Sequence, residues 1–189
     1  MSKESVARTL ERLGYVELFL RMDDGARRKI WSMPGAESDV ASVLRDEGAS
    51  SVVRFLAAAL LADHHKWPPK DLPADLLARV YVDGLRANAS QMANPWGLPG
   101  DLGPLSQQVL ALGKAATDPL LDALDDATAM TYSGSRDATI GNSYHWRVKD
   151  QAASLLVALR REKLEPDTNP KKRDAAIAAL RAHVQKDGP

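Results

Sequence analysis

The sequence predicts an all-α protein built from antiparallel helix pairs. Apolar residues recur at intervals of three and four along almost every organised segment, which is the period of one helix face. Proline and glycine cluster between these segments rather than within them. No segment shows the sustained apolar–polar alternation of a half-buried strand, so we predict a strand content near zero and helix in well over half the residues.

The N-terminal half contains four helical patterns and one short helix or turn. The first pattern has a stripe of apolar residues at Val6, Leu10, Leu13, Val16 and Leu20. "DDGARRKIWSMPG" is a short helix or turn, and "ESDVASVLRDEG" is helical again. "SSVVRFLAAALLAD" is apolar nearly all round and predicts the central buried helix. "KWPPKDLP" is a rigid connector because three prolines forbid helix, and "ADLLARVYVDGLRANAS" resumes the pattern.

A Pro/Gly-rich break at residues 94–104 divides the chain. We predict one helical domain over residues 1–189, with this break as a sub-boundary between residues 1–93 and 105–189. The second part contains the patterns "LSQQVLALGK", "TDPLLDALDD", "WRVKDQAASLLVALRRE" and "RDAAIAALRAHV". The last has its stripe at Ile177, Leu180 and Val184. Five leucines are predicted to be buried between the two helix pairs of this part: Leu120, Leu124, Leu155, Leu156 and Leu159.

The sequence from about residue 105 to residue 184, with the patterns just quoted, resembles the HEAT-like helical repeat family. "LALGKAATDPLLDALDD" resembles a repeat in which a Leu-Gly break precedes a Pro-opened helix, and "VKDQAASLLVAL" resembles the opening of the next repeat. The two pairs begin near Leu105 and Arg147, about 42 residues apart, within the roughly 40 to 47 expected for such repeats. The resemblance implies a short α-superhelix that acts as a scaffold, adaptor or regulatory module. Some HEAT-like DNA glycosylases grip DNA, so a nucleic-acid-binding protein or enzyme of this type is the alternative.

The stretch at residues 126–146 departs from the short loops of such repeats. It has neither a helical period nor strand alternation, and loops longer than about 12 to 15 residues are commonly functional. Its aromatic and charged side chains are those that anchor interfaces. The candidate binding residues are Tyr132, Arg136, Asp137, Tyr144, His145, Trp146 and Arg147.

Two interpretations of this loop stay open. It is a recognition element for a protein partner, or it folds back to cap the helical layers, with Tyr144 and Trp146 as packing residues. We expect residues 130–146 to be ordered in both cases, with Gly134 and Gly141 permitting tight bends.

Charge and composition argue against several other functions. The chain has 25 basic and 25 acidic side chains, whereas binding to nucleic acid needs a positive field. The basic residues "RREK" and "KKR" near the C-terminus are adequately explained as a solvated helix face. The N-terminal segment lacks the apolar core of a signal peptide, and no apolar run approaches the roughly 18 residues of a membrane helix. We therefore expect a cytoplasmic protein with a protein partner and no membrane partner.

Neither a metal site nor a cofactor site is predicted. Cysteine is absent, and the adjacent His64 and His65 diverge by about 100 degrees on a helix, so they suit a polar helix end better than one metal ion. His145, with Asp137 and Asp150, could perform acid–base chemistry if the three converged. No phosphate-binding loop, nucleophile motif or dinucleotide fingerprint accompanies them, so we predict no catalytic residue.

Overall fold

The computed structural model describes residues 3–21, 23–87, 95–132, 136–162 and 167–187, with the backbone alone at residues 136, 137 and 187. The chain forms two compact units, Met1–Ser90 and Gln91–Pro189. Among the described residues the structure is predominantly helical, as the spacing of apolar residues predicts. The expectation of one packed domain with a sub-boundary at residues 94–104 stays a prediction.

The described residues of the first unit form five α-helices. They are α1 (Lys3–Tyr15), α2 (Gly25–Trp31), α3 (Ala36–Arg45), α4 (Ser51–His64) and α5 (Ala74–Arg86), with a π-helical turn at Val16–Leu20 after α1. Helix α4 packs against α1, α3 and α5 and is buried from Phe55 to Leu61, which confirms the prediction of a central buried helix. Gly84 permits the close contact of α5 with α4, because a Cβ there would lie 2.5 Å from the Phe55 ring.

The first predicted helix is interrupted, which alters the register of its apolar stripe. Gly14 has a φ of 65°, outside the helical region, and the π-helical turn follows one residue later. Val6 and Leu10 are buried as predicted, but Leu18 replaces Leu20 as the buried residue of the turn. Leu13, Val16 and Leu20 are only half-buried. The change of backbone conformation at Gly14 rotates Val16 and Leu20, which follow it, away from the face that a continuous helix would bury.

The second unit contains two helix pairs and a short hairpin. The hairpin strands are β1 (Gly97–Leu98) and β2 (Asp101–Leu102), which pair antiparallel with Gly97 opposite Leu102. The first pair is α6 (Pro104–Ala111) and α7 (Thr117–Ala123), joined by a 3-10 turn at Gly113–Ala116. The second is α9 (Val148–Leu159) and α10 (Pro170–Asp187), and α8 (Arg136–Tyr144) lies before it in the chain. Helix α9 packs against α6, α7 and α10 and therefore forms the centre of this unit.

The predicted leucine core of the second unit is confirmed at four of its five positions. Leu120, Leu124, Leu155 and Leu156 are at most 3% exposed. Leu159 is only half-buried, so the prediction was wrong there. It is the last residue of α9 and lines an open pocket with Gly113, Thr117 and Val184, where the neighbouring helices no longer cover it.

The prediction of a strand content near zero is confirmed among the described residues, where one two-stranded hairpin forms at the break of residues 94–104. Each strand has two residues, too few for an alternating pattern to be visible in the sequence. Among the helices of the described residues, none is both long enough and apolar enough to cross a membrane.

Candidate binding site

The stretch at residues 126–146 is closed at its base by backbone hydrogen bonds. The Met130 amide donates to the Trp146 carbonyl and the Val148 amide donates to the Thr128 carbonyl, both at 2.9 Å. Ala129 and Arg147 form an isolated antiparallel bridge between these two bonds. The ends of the stretch therefore meet directly before α9, which is the arrangement of an Ω-like loop.

The sequence predicts no secondary structure in this stretch, and that prediction was wrong because α8 occupies Arg136–Tyr144. Gly141 lies inside this helix rather than at a bend, and a Cβ there would lie 2.6 Å from Cγ of the buried Tyr132 ring. Asn142 then donates through Nδ2 to the Tyr132 carbonyl at 3.2 Å. The helix is thus fixed to the first half of the loop by Tyr132. Gly134, the other predicted bend, lies outside the described residues.

A buried carboxylate beside the base of the loop is neutralised by two arginines. Asp150, which is 3% exposed, accepts from Arg147 Nε, Arg147 Nη2 and the Arg147 backbone amide, each at 2.9 Å. It also accepts from Arg173 Nε at 3.1 Å. Four donors fill the four lone-pair positions of the carboxylate, so Asp150 is fully satisfied within the protein.

Arg173 joins three segments of the second unit. Its Nη1 donates to the Asp167 and Thr168 carbonyls at 2.9 and 3.2 Å, and its Nη2 donates to the Tyr144 and His145 carbonyls at 3.1 and 3.3 Å. With the bond from Nε to Asp150, all five N–H groups of the guanidinium have acceptors. Its Cζ lies 4.5 Å from the centroid of the Trp146 ring, a cation–π contact. Arg173 is 6% exposed and has no donor left for a ligand.

A more exposed set of charges continues from this cluster. Asp174 Oδ1 lies 2.9 Å from Arg147 Nη2 and 2.8 Å from Lys149 Nζ. The hydrogen bond from Lys149, followed by that from Arg147, lowers the pKa of Asp174. The hydrogen bond to Asp150 is the largest cause that raises the pKa of Arg147. These contacts therefore favour the charged forms of Arg147 and Asp174.

Polar side chains also fix the hairpin to α6 and α9. Ser106 Oγ donates to the Trp96 carbonyl at 2.6 Å, and Gln151 Nε2 donates to that carbonyl and to Ser106 Oγ, both at 3.1 Å. The Gly100 amide donates to Ser154 Oγ at 3.0 Å. Gln151 and Ser106 are completely buried, so these bonds replace water that the hairpin backbone would otherwise need.

A cavity of about 160 Å³ lies beside the arginine–aspartate cluster, and we call it the α9–α10 cavity. Its walls are mostly apolar and include Pro99, Trp146, Ala153, Ala176 and Ile177. Its polar lining comes from Asp150, Ser154, Asp167, Lys172 and Arg173. Because Asp150 and Arg173 satisfy each other and their neighbours, the cavity offers a ligand mainly apolar contact.

The predicted binding residues are distributed over different environments. Tyr132 and Trp146 are both 3% exposed and belong to the core of the unit. Tyr144 is half-buried and stacks on Trp146, with ring centroids 5.0 Å apart. His145 is exposed, with a φ of 50°, whereas Arg147 is held by two carboxylates.

The side chains of Arg136 and Asp137 lie outside the described residues, although their backbone belongs to α8. For Trp146, the packing alternative fits its position. The idea that the loop as a whole recognises a partner stays a prediction. In the acid–base set, Asp150 is engaged by Arg147 and Arg173, and the side chain of Asp137 lies outside the described residues.

Three residues important for this site were not singled out by the sequence: Arg173, Gln151 and Ser154. Arg173 was assigned to a solvated basic face, and that was wrong because it points into the unit and meets Asp150. A signal existed for two of them. Gln151 lies three residues after Val148 and four before Leu155 on the buried face of α9, and Arg173 lies four residues before Ile177. A polar residue in register with an apolar stripe indicates a buried partner.

The rings of the two adjacent histidines of the first unit meet edge to face, with centroids 4.8 Å apart, and each has a different further neighbour. His64 stacks on Trp31 with ring centroids 4.2 Å apart, and His65 Nε2 lies 3.0 Å from Glu37 Oε1. Within the part of the chain that the structure describes, no group of three or more potential ligands could hold a metal ion.

Comparison with known proteins gives no relative: no family model, no curated protein and no solved structure matches this chain.

Proposed function

We propose that this protein is a non-catalytic protein-binding module and that the α9–α10 cavity receives one apolar side chain of its partner. The observation that carries the proposal is a cavity with apolar walls whose charged neighbours are already satisfied by one another. An apolar anchor residue in a desolvated pocket is the typical centre of a protein–protein interface.

The size of the cavity favours a side chain over a cofactor. Pockets for drug-sized ligands and cofactors usually measure roughly 300 to 1,000 Å³. An apolar cavity of about 150 Å³ holds a single benzene molecule. The α9–α10 cavity measures about 160 Å³ and therefore suits one ring-sized or leucine-sized group.

A scaffold or adaptor of HEAT-like type, acting in the cytoplasm, is the wider role that we propose. Support comes from the two successive helix pairs, α6 with α7 and α9 with α10, in the region of the sequence resemblance. The nucleic-acid-binding or glycosylase-like alternative stays a prediction, and a reactive carboxylate for it would have to be one other than Asp150.

Two matched variants test the cavity as the binding site. Ala176 is half-buried and lines the cavity, whereas its neighbour Ala175 is exposed on the same helix. Ala176→Phe would fill the cavity with its own ring, and Ala175→Phe would place the same ring in solvent. Both carry the same cost in helix propensity.

The full chain and both variants should be used to capture proteins from a lysate of the native host, with quantification by mass spectrometry. We expect a partner that is retained by the unmodified protein and by Ala175→Phe, and lost with Ala176→Phe. Thermal unfolding of each variant would verify that it is folded. If every captured protein binds folded Ala176→Phe equally well, the cavity is not the binding site.

A further inference from the structure

The cavity mouth adjoins the beginning of α10, which is rich in positive charge. The helix starts with Pro170, Lys171, Lys172 and Arg173 and has no acidic residue in its first turn. Asn169 Oδ1 accepts from the Lys171 amide at 2.9 Å and so caps the helix. The N-terminus of a helix also carries partial positive charge from its aligned peptide dipoles. The lysines and the helix end therefore act in the same direction.

The charges of the described residues around the mouth do not cancel. Five basic side chains lie in or beside the cluster, namely Arg147, Lys149, Lys171, Lys172 and Arg173, against three acidic ones, Asp150, Asp167 and Asp174, which leaves an excess of two positive charges.

One of the two excess charges belongs to the network of Arg147, Lys149 and Arg173, and the other belongs to the exposed Lys171. Asp150 and Asp174 are held by Arg147, Lys149 and Arg173, and Asp167 lies 3.4 Å from Lys172, whose side chain is 70% exposed. Lys171 is exposed and is in no ion pair with the described residues.

We propose that the partner presents an acidic peptide segment, in which one apolar side chain enters the α9–α10 cavity while carboxylates beside it face Lys171 and Lys172. The apolar cavity and the positive rim lie next to each other because Lys172 belongs to both. The inference rests on the proposed function and adds the chemistry of the partner. An interface of this kind combines an anchor residue with complementary charge at the rim.

Three capped five-residue peptides would test this chemistry with the full-length protein. Each has glycine at both ends and a central phenylalanine, which is flanked by two aspartates, two asparagines or two lysines. Binding is followed by NMR of the ¹⁵N-labelled protein. We expect the aspartate peptide to bind at least about tenfold more tightly than the lysine peptide, because each rim contact changes from attraction to repulsion. The affinity of the asparagine peptide should lie between those of the other two, and added salt should reduce the difference in affinity.

Variants locate the effect on the protein. Ala176→Phe should abolish binding of the aspartate peptide, and Ala175→Phe should leave it unchanged. The double variant Lys171→Gln, Lys172→Gln should weaken binding of the aspartate peptide and should not weaken binding of the other two peptides. Lys186→Gln, an exposed change near the other end of α10, is the matched control and should have no effect.

The other outcomes would overturn the proposal, each in a distinguishable way. If the three peptides bound with equal affinity and Ala176→Phe still abolished binding, the cavity would bind an apolar side chain without selecting for acidic neighbours. If phenylacetate bound as tightly as the aspartate peptide, the site would be one for free organic acids. Binding that is insensitive to Ala176→Phe would place the peptide elsewhere. If no peptide bound while lysate capture still depended on Ala176, the acidic-segment idea would fail and the proposed function would remain.

Discussion

Replacing Arg173 by methionine should destabilise the protein severely. Methionine keeps a long unbranched side chain and a good helix propensity, so the change removes chiefly the guanidinium. Asp150 would retain its three bonds from Arg147, but four backbone carbonyls of residues 144, 145, 167 and 168 would lose their donors. The contact with the Trp146 ring would also disappear.

The magnitude follows from these losses. Removing one partner of a buried ion pair costs roughly 3 to 5 kcal/mol, and each buried acceptor left unpaired costs about 1 to 3 kcal/mol. Arg147 still compensates Asp150, and loop carbonyls regain some contact with water, which reduces both costs. We expect the free energy of unfolding to fall by about 3 to 5 kcal/mol for Arg173→Met.

Urea unfolding followed by tryptophan fluorescence and circular dichroism measures this loss. Arg173→Lys should fall between the unmodified protein and Arg173→Met, because an ammonium keeps the charge but cannot reach all five acceptors. Lys172→Gln, on the exposed neighbouring residue, is the control and should change stability by less than about 0.5 kcal/mol. A loss below about 1 kcal/mol for Arg173→Met would refute the description of Arg173 as the junction of these segments.

Four further changes test the rest of the second unit. Gly141→Ala should lower the free energy of unfolding by about 1 to 3 kcal/mol, because the new methyl group would meet the Tyr132 ring. Adding Tyr132→Leu should relieve this loss. Replacing glycine by alanine inside a helix usually stabilises a protein, so stabilisation by Gly141→Ala alone would contradict this packing. Leu156→Ala should cost roughly 2 to 5 kcal/mol in urea unfolding, since Leu156 is 1% exposed, and a loss of a few tenths would mean that this face is open. Burial, and secondarily Asp150, raises the pKa of Tyr132, so stability should decline as the pH rises above about 10, where the unfolded chain ionises and the folded chain does not. Tyr132→Phe should make that decline shallower, and an unchanged decline would assign it to other groups. The pKa of Asp174 is lowered, so its contribution is present above about pH 3.9 and is lost as the pH falls through the folded-state pKa. Asp174→Asn should therefore flatten acid unfolding, and a curve as steep as that of the unmodified protein would show that the Lys149 and Arg147 contacts contribute little.

The helices that the sequence predicts most clearly are those whose stability comes from an apolar face. Helix α4 is apolar nearly all round and α9 has a regular stripe, so their periodicity alone locates them. The proline-rich connector between α4 and α5 was equally predictable from the sequence, because proline excludes helix locally. These features depend on residues close together in the chain, which is the information that a single sequence contains.

Helix α8 could not be predicted on the same basis. Its sequence, "RDATIGNSY", has one large aliphatic residue and a central glycine, both unfavourable for an isolated helix. Contacts with Tyr132, which lies outside the helix, stabilise it: the Tyr132 ring packs on Gly141, and Asn142 donates to the Tyr132 carbonyl. A helix supported in this way has no periodic signal, since the required apolar surface belongs to a residue outside it.

The candidate site could likewise be predicted only in part from the sequence, although one of the residues that were missed did carry a signal. The sequence led to Arg147, Tyr144 and Trp146 because they cluster in one stretch, and it missed Arg173, which lies 23 residues from its partner Asp150. Ion pairs over such distances have no fixed spacing, so the pairing itself could not be derived. The position of Arg173 was nevertheless informative, because it continues the stripe of Ile177 and Leu180 one turn toward the N-terminus.

A long basic side chain in register with a buried stripe either reaches water at the helix end or meets a buried acid. Lys172 and Arg173 are adjacent in α10 and represent these two outcomes, since Lys172 is 70% exposed and Arg173 is 6% exposed. The register of the stripe distinguishes them: Arg173 lies on it and Lys172 lies about 100 degrees away. The same geometry separates their roles at the α9–α10 cavity. Arg173 uses all its donors within the protein, and Lys172 is exposed at the rim, where the proposed acidic segment would meet it.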